Sequence, residues 1–507
     1  MKRYVLSIDQ GTTGTKVMFA DQTGAIAAES YQKHAQHYPR AGWVEHDPLE
    51  IWERIVAGVS EAMRQGKIVP KEVAAVGIAN QGETVMFWDG ESGAPLYPAV
   101  VWSCRRSDRI AERWAQDGDW DKKVADKTGL RIDPYFSATK IRWLMEEVPA
   151  VRDSIAGGRA RCSTLDAWII WNMTGGAAYV TDASTAARTL LFNHRLRRWD
   201  EEILAYLEID KSWLPTIKPS VGTFGFSDPA AFCGIRAPVL VSLVDQPAAL
   251  YGHLCTLPGM SKCTYGTGCF AYMQVGETPP PAVGGGLLTT VVWQREERLS
   301  YALDGAIYSA GTAVDWGMQA LGLYRDVDEL QAWSREWYEA IGGEQSEGDD
   351  DGVLFVPALT GIGTPFWRSD ARAVFSGLSL TTDRKRMARS ILDGIAHRVA
   401  DVLEAMEAAV GTKLTVLRVD GGLTKNPYLM QTQADLLGIP VEVPEMKETT
   451  SMGIVYLLGE ALGWWTQDEL QRAVRTVERY EPKRGTAFRT QARERWKKTV
   501  HSLVGPM

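Results

Sequence analysis

Three short stretches carry residues suited to holding a phosphorylated ligand. Residues 8–21 read IDQGTTGTKVMFAD: an apolar run ends in Asp9, turns through Gly11, Thr12, Thr13 and Gly14, and becomes apolar again after Lys16. Small residues let a ligand approach the backbone, and threonine hydroxyls with free N–H groups donate to phosphate oxygens. Lys16 adds positive charge. Asp9 has the wrong sign to touch phosphate but the right one for a divalent cation or its water shell. Taken alone, the stretch reads equally well as a plain β-hairpin. It is not a Walker loop, because GxxxxGK[ST] is missing and strand-like chain follows, nor is it a strand–GxGxxG–helix unit. A second polar, glycine-rich tip, TYGTG, lies at residues 264–268. One such tip from each half of the chain could grip a triphosphate across a cleft. The third stretch, VDGGLTKNPYLMQTQADLLG, sets Asp420, Gly421 and Gly422 at a strand end and Asn426 near a helix start. Glycines there let a flat base or ribose lie against the backbone, although an ordinary strand-to-helix turn has the same composition.

These tips need strands to hold them. RYVLSID, GTKVMFAD and GAIAAESY are short apolar or alternating runs, the last two separated by the turn DQTG. A helix is predicted from HDPLEIWERIVAGVSEAM, with Asp47 as N-cap, Pro48 first in the helix and Glu50 completing a capping box. Its apolar positions are Leu49, Trp52, Ile55, Val56, Val59 and Met63. VAAVGIANQ and TVMFWD return to strand character. A second block follows APVLVSLVDQ: strands at KCTYGTGCFAYMQVG, LLTTVVW and LSYALDGAI, a helix at SAGTAVDWGMQALG, the strand VLFVPAL, a long helix from near Arg384, the strand TVLRVDGG and an apolar helix around TSMGIVYLLGEALGWW. Alternating strands and helices with doubly buried strands predict an α/β fold, divided near residues 246–258 into an N-terminal domain (1–250) and a C-terminal domain (251–507). GETPPPAVGGG and the acidic EQSEGDDDG read as loops.

At 507 residues the chain exceeds one ordinary hydrophobic core, so two or three domains are expected. A net charge of −8 argues against a nucleic-acid partner. No apolar segment is long enough to span a bilayer or to read as a signal peptide, so no membrane partner is expected and the location is expected to be cytoplasmic. Six cysteines without CxxC pairs fit reduced thiols. The seven histidines show no metal-ligand spacing, and His34 and His37 read as surface residues sharing a helix face.

DQGTTGTK, GWVEHDPLEIW, NQGET, VVWSCRRS, IDPYFSATKIRWL, TDASTAARTLLFN, DQPAALYG, TYGTGCF, GLSLTTD and RVDGGLTKNPYLMQTQADLLG together resemble the FGGY carbohydrate kinases, over nearly the whole chain and most strongly their glycerol kinase group. The resemblance implies a two-domain actin-like ATPase (ribonuclease H-like) fold with a cleft between the domains, ATP and Mg²⁺ as cofactors, and phosphorylation of a terminal hydroxyl of a small polyol or sugar. Residue by residue it implicates Thr12, Thr13, Gly14, Lys16, Thr267, Gly311, Asp315, Gly422 and Asn426 in nucleotide binding. Lys16 stands where the group usually has Arg, and Asp315 where it has Gln. Asp245, ending VLVSLVD, becomes the base that accepts the proton of the attacking hydroxyl, with Asp9 and Asp245 as metal residues. As a strand-end Asp before a helix, Asp245 reads equally as a cap. Assembly as a homodimer or higher homo-oligomer is left open.

The same resemblance implies a polyol pocket of Gly82, Glu83, Trp102, Tyr135, Asp245, Gln246 and Phe270. The glycerol kinase group reads NQRET where this chain reads NQGET, so Gly82 replaces an Arg that holds the distal hydroxyl. A lost guanidinium leaves space, and a four- or five-carbon alditol is one expectation; a second is that water or another side chain fills the gap and glycerol remains the substrate. The competing readings are a ketopentose kinase of the same family, similar to xylulokinase, then an actin-like ATPase without an acceptor, and a sugar sensor without turnover. GTFGFSDPAAFCGIRAP differs from the regulatory-loop sequences of enteric glycerol kinases, so no sugar-phosphate effector is inferred.

Overall fold

The computed structural model describes residues 3–280, 286–341, 352–368, 370–473 and 476–505. Its spine is a 13-stranded sheet. In chain order the strands are β1 (Tyr4–Gln10), β2 (Gly14–Asp21), β3 (Ile26–Lys33), β4 (Val73–Asn80), β5 (Val221–Phe226), β6 (Pro238–Val244), β7 (Met260–Tyr265), β8 (Cys269–Gly276), β9 (Leu288–Arg295), β10 (Arg298–Ile307), β11 (Val416–Asp420), β12 (Val441–Pro444) and β13 (Thr476–Tyr480). Their spatial order is β13-β12-β11-β7-β8-β10-β9-β5-β6-β4-β1-β2-β3. The sheet passes from one half of the chain to the other where β5 meets β9 in parallel, at Val221 and Arg295.

Register decides where the functional tips emerge. Gln10 of β1 pairs in parallel with Asn80 of β4, and Val244 of β6 pairs with the same Asn80. Three strands therefore finish level, and Gly11–Thr13, Gln81–Glu83 and Asp245 leave the sheet along one edge, at the carboxyl ends where open α/β sheets bind ligands. In the other half, Thr264 of β7 pairs in parallel with Asp420 of β11, which brings the second hairpin beside Gly421 and Gly422. All eight residues of β4 are buried, as expected of a central parallel strand covered on both faces.

Helix α1 (Pro48–Gly66) starts as the sequence predicts, with the Asp47 carboxylate accepting from Leu49 N at 2.9 Å. The capping box does not form. Glu50 instead accepts from the free N–H of Ala35 (3.1 Å) and from Arg54 (3.1 Å), a connecting-segment donor that no helical pattern reveals. The buried stripe is Ile51, Ile55, Val59 and Ala62, and Leu49 is exposed. His34 is also corrected: it lies outside any helix and is buried, its ring edge-on to His46 at 4.7 Å, whereas His37 is exposed. The GETPPPAVGGG loop is described up to residue 280 and at 286, and residues 344–351 of EQSEGDDDG lie outside the described part.

The remaining elements that bear on the site are α2 (Ser137–Glu147), the single turn α3 (Ala183–Ala186), α4 (Asp245–Gly252), α5 (Gly311–Gln319), α6 (Val327–Ala340), α7 (Arg384–Val410), α8 (Pro427–Leu437) and α9 (Thr449–Ala461). One core cluster joins both halves: Val5, Met18, Ala79, Leu243 and Leu250 pack with Tyr272, Trp293, Ile454 and Leu458. Within it α4 and α9 touch backbone to backbone. A Cβ on Gly252 would lie 1.9 Å from the carbonyl oxygen of Thr449, and one on Gly453 would lie 1.9 Å from that of Ala248.

Candidate active site

The first hairpin is fixed from below and from the side. Gly11 N donates to Gly14 O (3.0 Å), closing the turn. Gln36 Nε2 donates to the carbonyl of Thr12 (2.6 Å), and Trp102 Nε1 donates to its hydroxyl (3.0 Å). Beneath, Gln81 Nε2 reaches Gln10 Oε1 (3.1 Å) and the Gly11 carbonyl (3.3 Å), while His46 Nε2 meets Gln36 Oε1 at 2.8 Å. Burial, then the nearby His34 and His37, push His46 down to about 3, so it is a neutral ring in this network near neutral pH. Gly14 is demanded by the fold: a Cβ there would strike the Gln32 carbonyl at 2.6 Å and the Tyr31 ring at 2.7 Å. Lys16, opposite Asp9 in the register, is 3.0 Å from Glu29 and 3.9 Å from Glu448, so its charge is shared with two carboxylates.

Asp9 and Asp245 lie near enough for the charge of one to act on the other. Burial raises the Asp9 carboxyl to about 8, with Asp245 and then Glu448 pushing the same way and Lys16 opposing. Asp245 rises to about 6, chiefly by burial and then by Glu83. The N–H of Gln246 (2.6 Å from its Oδ1), Lys262 and Arg188 pull it back. A half-buried carboxylate with acidic neighbours is what a divalent cation neutralises, so the donor set fits Mg²⁺ carried in on phosphate. Among the described residues no group of three or more His, Cys, Asp or Glu side chains forms a self-sufficient metal cage.

The rings of Trp102 and Tyr135 meet edge-on at 5.5 Å. Lys140 on α2 fixes the Tyr135 turn by donating to the carbonyls of Pro134, Tyr135 (2.7 Å) and Phe136 (3.3 Å). Glu83 is buried and accepts from Arg188 Nε at 2.6 Å, and Arg188 Nη1 also donates to Asp304 of β10 at 3.0 Å. Gly82 does not open a space next to its Cα. A Cβ there would meet Val244 Cγ1 and Cγ2 at 2.9 Å and Arg188 Cγ at 3.2 Å. Phe270, on β8 opposite Thr264 and Ala306, is half-buried.

The second hairpin turns at Gly266–Gly268, and Thr267 is exposed at its tip. The carbonyl of Thr267 accepts from Ala310 N (3.0 Å) and Thr312 N (3.1 Å), which anchors the start of α5. Gly311 is required there, since its Cβ would lie 2.7 Å from Gly266 O, whereas a Cβ on Gly422 would meet nothing within 4 Å. Asp315 is exposed on α5. Asn426 is buried. Its Oδ1 caps α8 by accepting from Leu429 N (2.9 Å) and takes a further bond from Ser334 of α6 (2.5 Å), so that oxygen is already occupied. Lys262, fully buried on β7, donates to Gln246 Oε1 and to Thr264 Oγ1 (3.1 Å), tying the residue after Asp245 to the base of the second hairpin. Asp420 is used within the protein by His253 (2.8 Å) and Thr449 (2.7 Å). Although burial raises it, the His253 bond and the charge of Lys262 hold it well below the usual carboxylate range.

Arg188, Asp304 and Lys262 were given no role by the sequence reading. The available signal was a charged residue inside apolar chain, as in AARTLLF and MSKCTY. Their partners are far off in sequence, which hides the pairing.

The family model described as the N-terminal domain of the FGGY family of carbohydrate kinases matches residues 4–252, and that of the C-terminal domain matches residues 261–475. A glycerol kinase from Caldanaerobacter subterraneus is 40% identical over 505 residues, covering 99% of each chain. A crystal structure of Plasmodium falciparum glycerol kinase with ADP superposes with a TM-score of 0.91 at 32% identity, covering 99% of both chains. A xylulose kinase from Rhodospirillum rubrum shares the fold, with a TM-score of 0.84 at 20% identity over 99% of this chain and 98% of its own.

Proposed function

From the premise that the chain belongs to the FGGY family of carbohydrate kinases, with the actin-like ATPase fold, we propose that it transfers the γ-phosphoryl group of ATP to a terminal hydroxyl of glycerol. It is a phosphotransferase with an alcohol acceptor, and its relatives favour the glycerol kinase reading over a ketopentose kinase. The observation that supports the reading is Asp245, half-buried just past the carboxyl end of β6, where β1, β4 and β6 finish level beside the first hairpin and Gln81–Glu83.

A polyol hydroxyl is a weak nucleophile. In this reading Asp245 hydrogen-bonds the terminal hydroxyl and takes its proton as the oxygen bonds to the γ-phosphorus and the bridging oxygen leaves with ADP. Mg²⁺ supplies charge neutralisation on the phosphates when bound, and Asp9 would hold it through its water shell. Thr12, Thr13, Gly14 and Lys16 would contact the phosphates from one side and Thr267 from the other. Gly311, Asp315, Gly422 and Asn426 would frame the nucleoside, Asn426 through the helix start that it caps. Glu83 and Gln246 would bind hydroxyls, Tyr135 would donate to an oxygen, and Trp102 and Phe270 would cover the carbon-bound hydrogens. The division at 250/251, with the polyol side first and the nucleotide side second, belongs to the same proposal, as does a cytoplasmic location. No helix among the described residues is long and apolar enough to cross a membrane.

The test is ADP release across glycerol, erythritol, threitol, xylitol, ribitol, D-xylulose and D-ribulose, with Mg²⁺ present and removed. Glycerol turns over fastest and only with Mg²⁺. Faster turnover of a ketopentose, or of an alditol with four or more carbons, overturns the substrate assignment, and acceptor-independent ADP release overturns the kinase reading.

A further inference from the structure

We propose that Lys262 is a positioning residue for the acceptor: reaching across from the second half of the chain, it holds the side-chain oxygen of Gln246 and thereby commits the amide N–H₂ of Gln246 to the polyol. This rests on the polyol kinase reading above.

Lys262 carries a charge where charge is costly. It is fully buried on β7, opposite Tyr272 of β8 in the antiparallel register and level with Arg418 of β11 in the parallel one. Its ammonium is held by neutral groups. Nζ donates to Thr264 Oγ1 at 3.1 Å and to Gln246 Oε1, and it stands 5.3 Å from the centroid of the Tyr272 ring. Thr264 and Tyr272 belong to the same hairpin as Lys262, so the ammonium is placed from within the second half. Gln246 is the second residue of α4 and follows β6 of the first half. A buried charge gives up no hydrogen bond cheaply, which makes this cross-connection a firm one.

The direction of the bond decides what Gln246 can do. An ammonium only donates, so Gln246 faces it with Oε1 and keeps both N–H groups at the other end of the amide. Nε2 has no hydrogen-bond partner among the described residues, and the side chain is half-buried. Free of Lys262, the amide could rotate and offer either end to a ligand. Bound to it, Gln246 is a donor. Asp245, next to it in the chain, is an acceptor when ionised, and the two are locked together by the Gln246 N–H at 2.6 Å from Asp245 Oδ1. An alcohol both donates and accepts, so this pair suits it: Asp245 takes a hydroxyl proton while Gln246 meets an oxygen. The nucleotide side does not lean on the same bond. The tip of the second hairpin is closed by Gly266 N to Gly268 O (2.9 Å) and anchored by Ala310 N to the Thr267 carbonyl (3.0 Å).

The experiment measures kcat/KM for glycerol and KM for ATP in wild type, Lys262→Met, Gln246→Leu and the double variant, with an ADP-induced thermal shift to verify folding. Methionine keeps the length of the lysine stem and has no donor. Lys262→Met lowers kcat/KM for glycerol about 5- to 50-fold, as expected for a hydrogen bond to the acceptor lost with its orientation, while KM for ATP changes less than about threefold. In the Gln246→Leu background the same change costs less than about threefold, because a residue acting through Gln246 has nothing left to position. If Lys262→Met does not fold, Thr264→Val decides, since it removes the anchor of the ammonium and keeps its charge: a loss confined to glycerol supports the proposal, and no change overturns it. Equal losses for glycerol and ATP, or additive losses in the double variant, overturn the proposal and leave the kinase reading intact. Absence of glycerol-dependent ADP release in the wild type overturns the kinase reading, and this proposal with it.

Discussion

Restoring an arginine at residue 82 looks, from sequence, like the way to improve a glycerol pocket. The structure gives the opposite expectation. In Gly82→Ala the added methyl carbon would lie 2.9 Å from both methyls of Val244 and 3.2 Å from Arg188 Cγ, distances that force movement in a site buried on all sides. Overpacking by one methyl group in such a place costs about 1–3 kcal/mol. Gly82→Arg adds a longer side chain beside the Arg188 stem, which Glu83 (2.6 Å) and Asp304 (3.0 Å) hold in place, so its cost is expected to exceed that of Gly82→Ala. Chemical denaturation should therefore rank wild type above Gly82→Ala above Gly82→Arg. Coupled ADP assays should show kcat/KM for glycerol falling in the same order. A companion variant isolates the cause: Val244→Ala removes two of the three obstructing contacts, so Gly82→Ala combined with Val244→Ala should be less destabilised than the sum of the single changes. If Gly82→Arg is as stable as the wild type and has a lower KM for glycerol, the filled-space argument is wrong.

Asp245→Asn keeps the shape of its site and should keep nucleotide affinity, read by calorimetry, while turnover falls by about 10²- to 10⁴-fold. Burial, then Glu83, raises Asp245 to about 6, and the base must be ionised, so kcat/KM for glycerol should climb as pH rises through about 6 and flatten above it. A profile flat from pH 5 to 7.5 would refute the base. Trp102→Phe removes the 3.0 Å bond to the Thr12 hydroxyl, at a typical net cost of about 1 kcal/mol, and should raise the KM for ATP severalfold. Asn426→Ala deletes a helix cap and takes away the acceptor of the Ser334 hydroxyl; a stability loss of about 1–3 kcal/mol in denaturant titrations is expected.

Much of the scaffold was legible in the sequence because its signals are local. Both glycine-threonine tips sit between strands, and Pro48 opens α1 after Asp47, since turn chemistry and capping are written within a few residues. The capping box failed because Glu50 found a donor, Ala35, that only the folded path of the chain supplies. The consequence of Gly82 stays open in the sequence for a related reason. A glycine in a motif announces missing volume but cannot say what occupies it, and the occupants, Val244 and Arg188, lie more than a hundred residues away. Lys262 and Asp304 were invisible as site neighbours because an isolated charge in a strand reads as a solvated face until the sheet order is known. Asn426 shows the converse, since its motif was evident while its use of Oδ1 as a cap depends on Ser334 in another helix.

The backbone contact between α4 and α9 also limits how such a chain can be recombined. Thr449–Ala461 is encoded in the second half, yet it rests on Gly77 of β4, where a methyl group would stand 2.5 Å from Ile454 Cγ2. A hybrid protein joined at residue 250 with another relative's second half would have to match Gly252 to Gly453, backbone against backbone, and Gly77 to the Ile454 side chain. An isolated first half would leave the apolar residues Val5, Ala79 and Leu243 without their cover, an invitation to aggregate. The two coding segments are thus bound to diverge in step.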